Sequence, residues 1–512
     1  MEREIKLQAN KEQLKQIRSL PVLVPFLEGT PRTEHLVSTY FDTRDLIFHA
    51  EGIALRVRAI GDAFVQTLKT QGSTKAGMYA REEYETRVDA NVPDIDVLRN
   101  CVPKKSSVAR LLAMTDIGTA LVPQFTTRVK RTVFSLRFPE GDEVEVELAL
   151  DDGVIESGSS SEACQEVELE LKTGKPDRLY HLALDLLRAV PMRISSLSKG
   201  ERGYNLISPM SYSATRAQPL VLRKKDTVEA AFECIVQNCL AQIQGNELGV
   251  VKSDDAEPVH QMRVGIRRLR SALDLVEPLL VFPVSLEAEL KWIAGKLGAA
   301  RDWEVLATST LSGTFGDAHR DFDAQAMIRV ARETARQYRT EAAASVDSTR
   351  YACLVIELTR WFEQSQWREG LDDERRDALS MPVSEFAAEA LHERHRKLMK
   401  RGRHLPDLDP DTRHRARIAA KKLRYAMEFF ATLYEKKTLQ NYAATLTQLQ
   451  DDLGWRNDLA VADSLLRDMA ATAPDAAVGA AYARGFLASR MAEDYGKLKT
   501  LWSEFKRLSA PK

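Results

Sequence analysis

From residue 1 to about residue 207, apolar and polar positions alternate in short runs: 1–8, 34–41, 52–60, 63–70, 79–88, 126–138, 142–150 and 165–172. A period of two marks strands with one buried face, and this series predicts an antiparallel sheet. Helical stretches interrupt it near 10–19, 94–116 and 176–190, with Asn10 placed to cap the first. The stretch from Asp151 to Cys164 holds Gly153, Gly158 and a run of serines, and reads as a loop. Residues 208–221 read as a linker, and from 222 to 512 apolar residues recur at steps of three and four. The predicted class is α+β: a strand-rich domain over 1–207, then an all-α domain over 222–512.

The helical part repeats itself. His260-x-x-Arg263-x-x-x-Arg267-Arg268-x-Arg270 returns as His414-x-x-Arg417-x-x-x-Lys421-Lys422-x-Arg424. Leu297-Gly298-x-x-x-Asp302 returns as Leu453-Gly454-x-x-x-Asp458. Two elements recurring at nearly one offset predict tandem helical bundles, about 222–365 and 375–512.

The strands carry an unusual second face. Glu2, Glu4 and Lys6 alternate with apolar or outward positions, as do Arg56 and Arg58, Arg128 and Lys130, Glu143, Glu145 and Glu147, and Glu166, Glu168 and Glu170, while Lys69 ends a strand. A solvated outer face explains any one of these strands. As a set they suggest a charged interior. Carboxylates about 5 Å apart repel by roughly 3 kcal/mol at an effective dielectric near 20. A closed barrel would gather Glu2, Glu4, Glu168 and Glu170 only around a cation, and hard oxygen ligands favour Mg²⁺ or Mn²⁺. The basic strands would then face the oxygens of a polyphosphate.

Bulk composition adds little. Net charge is −1, so only the local clustering of basic residues bears on partners. The five cysteines form no C-x-x-C pair, which argues for a reducing compartment and against a zinc site. No apolar run suits a signal peptide or a membrane span, and a cytoplasmic location is expected.

The motifs in order are E-x-E-x-K, Tyr40-Phe41-Asp42, L-R-V-R, the Lys69 strand, R-E-E-Y-E, T-R-V-K, V-E-V-E-L-A-L-D, E-V-E-L-E-L-K and S-L-S-K-G-E-R-G-Y. Over 1–207 they resemble the CYTH superfamily of triphosphate tunnel metalloenzymes. The part after about 220 resembles the CHAD domain, a helical module associated with polyphosphate binding. Together they are similar to the CYTH–CHAD inorganic triphosphatases. The resemblance implies an eight-stranded antiparallel tunnel. It implies metal ligation by Glu2, Glu4, Glu168 and Glu170, with Glu145, Glu147 and Asp151 serving a second metal position. It assigns phosphate contacts to Lys6, Arg56, Arg58, Lys69, Arg128, Lys130 and Lys199, leaving open which of Arg128, Lys130 and Arg131 points inward. The implied reaction is Mg²⁺- or Mn²⁺-dependent hydrolysis of a terminal phosphoanhydride, with Glu4 and Lys6 at the reacting groups and Glu147 able to activate water.

On the basic helices, His260, Arg263, Arg267 and Arg270 share a face, and His414, Arg417, Lys421 and Arg424 repeat it. Neither run contains acidic i,i+4 partners, and 394–403 adds further positive charge. Inorganic polyphosphate is the expected ligand, which would allow association with polyphosphate granules. The absence of interleaved aromatics disfavours nucleic acid. The rival functions are a polyphosphate-binding scaffold without turnover and a tunnel enzyme acting on nucleotide or thiamine triphosphate, such as an adenylate cyclase.

Overall fold

Alternation along the chain becomes a ring of strands in the computed structural model, which describes residues 2–61, 63–70, 73–75, 78–139, 143–311, 324–405, 410–493 and 495–511, without side chains at Glu2, 73–75, 78–81, 410–412, 438, 493 and 495. The strands are β1 (Glu2–Gln8), β2 (Arg32–Asp42), β3 (Ile53–Ile60), β4 (Ala63–Thr70), β5 (Ser73–Lys75), β6 (Met78–Arg81), β7 (Glu83–Val88), β8 (Val122–Phe138), β9 (Val144–Ser157), β10 (Ser160–Thr173) and β11 (Arg193–Ile194). Their order is β5-β6-β1-β10-β9-β8-β2-β3-β4-β7, with neighbours antiparallel throughout and β11 on β1. Only Glu82 separates β6 from β7. The run 78–88 therefore pairs through its first half with β1 and through its second with β4. This closes a tunnel of eight strands when that run is counted once and the short strands β5 and β11 beside it are left aside, as the α+β reading expected.

Outward positions hold the apolar residues. Ile5 and Leu7, Val144 to Leu150 at alternate positions, and Val167 and Leu169 pack with the helix Asp177–Ala189 into one core. Leu55 and Leu68 pack under the helices Ile95–Cys101 and Ser107–Leu112 into another. The complementary positions, Glu4, Lys6, Arg56, Lys69, Glu147, Glu168 and Glu170, face the bore. The tunnel thus has its charged face inside and its oil outside, the reverse of a soluble barrel with a packed interior.

The span 151–164 is not a loop. β9 and β10 run through it as a long hairpin, turning at Gly158 with φ +56°. Gly153 is a strand residue whose added Cβ would lie 2.2 Å from the Arg128 carbonyl oxygen. It permits close strand approach rather than a turn.

The chain divides into two units: Met1–Tyr212 with Asp347–Gln366, and Ser213–Val346 with Trp367–Lys512. Within the first, the helix Thr349–Glu363 completes the outer core, with Ala352 and Ile356 buried beside the Asp177–Ala189 helix. Arg360 pairs with Asp177 at 2.8 Å and the Tyr180 hydroxyl donates to Glu363 at 2.7 Å. This helix lies in the stretch that the sequence pattern assigns to the all-α half. The second unit is helical. Its repeated basic motifs lie on Glu257–Val276 and Pro410–Phe430, and its Leu-Gly motifs on Val284–Val305 and Lys436–Thr472. Among the described residues, no helix is long and apolar enough to cross a membrane.

Candidate functional site

A cavity of about 300 Å³ occupies the bore, lined among the described residues by six carboxylates and seven cations. One wall is acidic for a reason of register. Glu4 on β1 stands opposite Glu170 on β10, and Glu170 stands opposite Glu147 on β9. Three carboxylates therefore lie in one row across three adjacent strands. Like charges directly opposite destabilise a sheet, and each neighbouring pair repels by roughly 3 kcal/mol at an effective dielectric near 20. Lysines relieve part of this: Lys6 lies 3.1 Å from Glu4, and Lys172 lies 2.8 Å from Glu170 and 4.0 Å from Glu147. The facing wall is basic, with Arg56, Arg58, Lys69 and Arg131. Lys69 contacts Glu83 at 2.7 Å, and Arg56 reaches the same carboxylate at 3.8 Å. Burial, with Arg56 and Arg131 nearby, lowers the Arg58 pKa to about 10.

Deeper in the bore lies a neutralised cluster. Asp151, Glu166 and Glu168 can each direct one oxygen to a common point, all within 4.8 Å of one another. Lys199 contacts Glu166, Asp151 at 2.7 Å and Glu168 at 3.0 Å. Arg131 forms a two-pronged pair with Asp151 at 2.7 Å for both bonds, and also contacts Glu168. Lys6 contacts Glu168 at 2.9 Å. Burial alone would raise the Glu168 carboxyl pKa, but Arg131, Lys199 and Lys6 hold it well below the usual carboxylate range. Burial likewise opposes the Lys199 ammonium, and Asp151, Glu166 and Glu168 more than offset it.

Lys199 arrives on the helix Lys199–Ile207, whose start is set by a capping box between Ser198 and Glu201. Two glycines let that helix approach closely. A Cβ on Gly203 would lie 2.0 Å from the Phe125 ring, and one on Gly200 would lie 3.3 Å from Tyr40. Tyr40 stacks on Phe125 at 4.4 Å between centroids and lines the bore.

Most sequence-assigned residues meet here, with several corrections. Glu4, Lys6, Arg56, Arg58, Lys69, Glu147, Glu168, Glu170 and Lys199 line the cavity. Arg128 and Lys130 do not: both are exposed on the outer face of β8, and Arg128 pairs with Glu156 at 3.1 Å. Arg131 is the inward residue, because odd positions of β8 from Phe125 to Val133 face the bore side while Phe134 and Leu136 enter the outer core. Glu145 is bound by Arg137 at 2.9 Å and does not line the cavity. Asp151 is fully buried with Arg131 and Lys199 on its oxygens, and with Glu166 and Glu168 it makes up the group of carboxylates that could hold a metal ion. Lys199 lines the cavity and, like Arg131, also pairs with carboxylates, Asp151 at 2.7 Å and Glu168 at 3.0 Å. The side chain of Glu2 lies outside the described residues. Glu83, Glu85, Lys172 and Tyr40 also line the cavity without having been assigned a site role from the sequence, although Glu83 and Glu85 alternate on a charged strand face.

In the helical unit, a cavity of about 1060 Å³ opens between the two basic helices. Arg263, Arg267, Arg270, His414, Arg417 and Lys421 line it, whereas His260 and Arg424 do not. His260 is half-buried, and burial, followed by Arg301, lowers its pKa. The Arg424 guanidinium lies over the Tyr425 ring at 5.6 Å. Acidic groups stand close to the basic runs: Asp274, one turn after Arg270 on the same helix, lines the cavity, and Glu428 pairs with Arg268 at 2.9 Å. Asp302, from the repeated Leu-Gly motif, reaches Arg263 at 3.4 Å, and its counterpart Asp458 lines the same cavity. Asn457, beside it, contacts His414 Nδ1 at 3.1 Å. Burial and the charges of Arg267, Arg417 and Arg263 push the Lys421 amine down to about 7.

Comparison with known proteins divides the chain in the same sense. The CYTH domain model matches residues 1–204 and the CHAD domain model residues 234–467. A Haemophilus influenzae protein named inorganic triphosphatase is 29% identical over 172 residues, or 33% of this chain. The match covers 46% of that relative, so this chain spans about half the length of the curated protein it matches. A crystal structure of the CHAD domain from the plant Ricinus communis is 35% identical, with a TM-score of 0.53, covering 59% of this chain and 99% of that one. The Hippeastrum protein HpAC1, described as having a dominant triphosphatase activity, is 24% identical, with a TM-score of 0.28, covering 39% of this chain and 93% of its own.

Proposed function

From a chain that belongs to the CYTH family over residues 1–204 and to the CHAD family over residues 234–467, we propose a metal-dependent inorganic triphosphatase whose helical unit, joined through residues 208–221, binds inorganic polyphosphate. The observation that carries the enzymatic reading is the row Glu4–Glu170–Glu147 facing Arg56, Arg58, Lys69 and Arg131 across one small bore. An acidic wall opposite a basic wall suits a divalent cation with a short phosphate chain, and neither alone. The donors fit the metal: hard carboxylate oxygens from three adjacent strands suit Mg²⁺ or Mn²⁺. Glu4, Glu170 and Glu147, with Glu168 one step deeper, would hold it. The metal would supply charge neutralisation at the phosphate oxygens.

The protein's own groups do the rest. Arg56, Arg58, Lys69 and Arg131 grip the non-bridging oxygens and offset charge that builds as the terminal phosphoryl group leaves. Lys6, held between Glu4 and Glu168, places an ammonium beside the reacting phosphates. Glu147 is held loosely, with Arg32 and Lys172 each 4.0 Å away. It is the wall carboxylate best placed to accept a proton from attacking water. Products are diphosphate and phosphate. No covalent enzyme intermediate is required.

The test is turnover of purified full-length protein with Mg²⁺ or Mn²⁺ on tripolyphosphate, ATP, thiamine triphosphate and long-chain polyphosphate, each separately. Tripolyphosphate hydrolysis that is lost in Glu4→Gln is the expected result. Tight binding without turnover would instead identify a scaffold. Cyclic AMP formation, or preference for thiamine triphosphate, would keep the tunnel and overturn the substrate.

A further inference from the structure

The basic stretch 394–403 has no place in the large helical cavity, yet it builds a second one. A cleft of about 200 Å³ is lined by Asp274, Arg394, Lys397, Arg401, Ala419 and Lys422. Three helices converge there: Asp274 comes from Glu257–Val276, the next three residues from Val383–Arg401, and the last two from Pro410–Phe430. Among the described residues its lining sets four cations against a single carboxylate, with Lys397 also held by Glu393 at 2.6 Å outside the lining. Among the described residues the larger cavity, His414 apart, sets seven cations against five carboxylates, so the small cleft is the more one-sided.

The two cavities share a wall. Asp274 and Lys422 line both. Asp274 contacts Lys422 at 2.5 Å on one oxygen and Arg394 at 2.5 Å on the other, and Arg394 also donates to the Asp274 carbonyl at 2.7 Å. Arg394 is buried, so this pair fixes the partition in place. Lys397 and Arg401 lie beyond it with exposed side chains. They follow Arg394 at steps of three and four, so all three project from one side of their helix. A linear polyanion leaving the larger cavity at Lys422 would meet Arg394, then Lys397 and Arg401, displacing Glu393 from its 2.6 Å contact with Lys397 on the way.

We infer that this cleft is a second anion subsite, continuous with the first across the Asp274–Lys422 wall, which extends the grip on a linear polyphosphate and makes binding depend on chain length. The inference rests on the polyphosphate reading of the helical unit. Inorganic polyphosphate is favoured over nucleic acid because, among the described residues, the cleft lining contains no aromatic ring on which a base could stack. Removing a cation that grips phosphate should weaken the salt dependence as well as the affinity, since bound cations displace counterions from the chain.

The experiment measures long-chain polyphosphate binding to the full chain over a salt series, with chelator present to prevent turnover. The double variant Lys397→Gln, Arg401→Gln should bind about tenfold more weakly, with the slope of log affinity against log salt reduced by roughly 1.4 for the two cations removed. Both residues are exposed, and a thermal melt checks that the fold survives. A second double variant, Lys104→Gln, Lys105→Gln, removes the same charge in the strand-rich unit and should leave binding unchanged. Equal loss in both would show an effect of net charge and overturn the subsite. Unchanged binding in the first, while Arg267→Gln with Lys421→Gln abolishes it, would overturn the subsite and leave the polyphosphate reading standing. No binding by the wild type would overturn both. Displacement of polyphosphate by an equal charge of single-stranded oligonucleotide would overturn the assigned partner.

Discussion

Replacing Lys199 by methionine removes the cation at the centre of the buried cluster while keeping most of its length. Its ammonium contacts Glu166, Asp151 at 2.7 Å and Glu168 at 3.0 Å. Each attraction at about 3 Å is worth roughly 5 kcal/mol at an effective dielectric near 20, and desolvation of both partners offsets much of that. What remains after substitution is worse than an absent pair, because among the described residues three carboxylates within 4.8 Å keep Arg131, Lys6 and the more distant Arg202 as their cations. Breaking a buried pair by removing one partner costs about 3–5 kcal/mol. The pH dependence adds a sign. In the wild type, Glu168 and Asp151 have depressed folded pKa values, so their stabilisation is present above the unfolded values near pH 4 and is lost as pH falls through the folded ones. Lys199 has a raised folded value, so its contribution is full below an unfolded pKa of about 10.4 and is lost only above it. Stability from this cluster is therefore flat near neutrality and falls in acid. In Lys199→Met, burial is less opposed and the carboxyl pKa values climb. The deficit should then be largest at pH 7–8 and shrink toward pH 5. Hydrogen exchange of β9 and β10 amides reads it locally, as a loss of protection of roughly two to four powers of ten at pH 7.5. Unchanged protection, or a deficit that grows as pH falls, would refute the reasoning.

Three further outcomes follow from packing and charge. Gly203→Ala drives a methyl to within 2.0 Å of the Phe125 ring and should destabilise the strand-rich unit by about 1–3 kcal/mol, seen as a lower melting temperature. Ile356→Ala opens a void beneath the Thr349–Glu363 helix and should cost about 2–5 kcal/mol, read by faster amide exchange in the Asp177–Ala189 helix. Polyphosphate bound in the larger helical cavity should raise the Lys421 pKa from about 7, so binding takes up a proton and affinity rises as pH falls from 9 to 6; calorimetry in buffers of different ionisation enthalpy measures that uptake, and Lys421→Gln should remove it.

Local pattern determined a great deal here. Alternation along β1, β3, β9 and β10 was enough to place carboxylates and cations on one face and aliphatic residues on the other, and the ring of strands follows that division. The doubled basic motif located the helical cavity, since six of its eight assigned residues line it. What packing decided was every relation between distant segments. On β8, cations occupy both faces, so alternation alone could not choose Arg131 over Lys130; the outer core around Phe134 and Leu136 makes the choice. The row Glu4–Glu170–Glu147 exists only through strand register, which joins residues far apart in the chain. Lys199 resembles a phosphate ligand in sequence, and only the docking of its helix shows that it also sits among the carboxylates Asp151, Glu166 and Glu168. The Thr349–Glu363 helix shows its apolar stripe in sequence, yet a stripe does not name the surface that covers it. Periodicity reports which face of an element leaves water. Which other faces it meets is a long-range choice, settled by the burial and ion pairing of the whole fold.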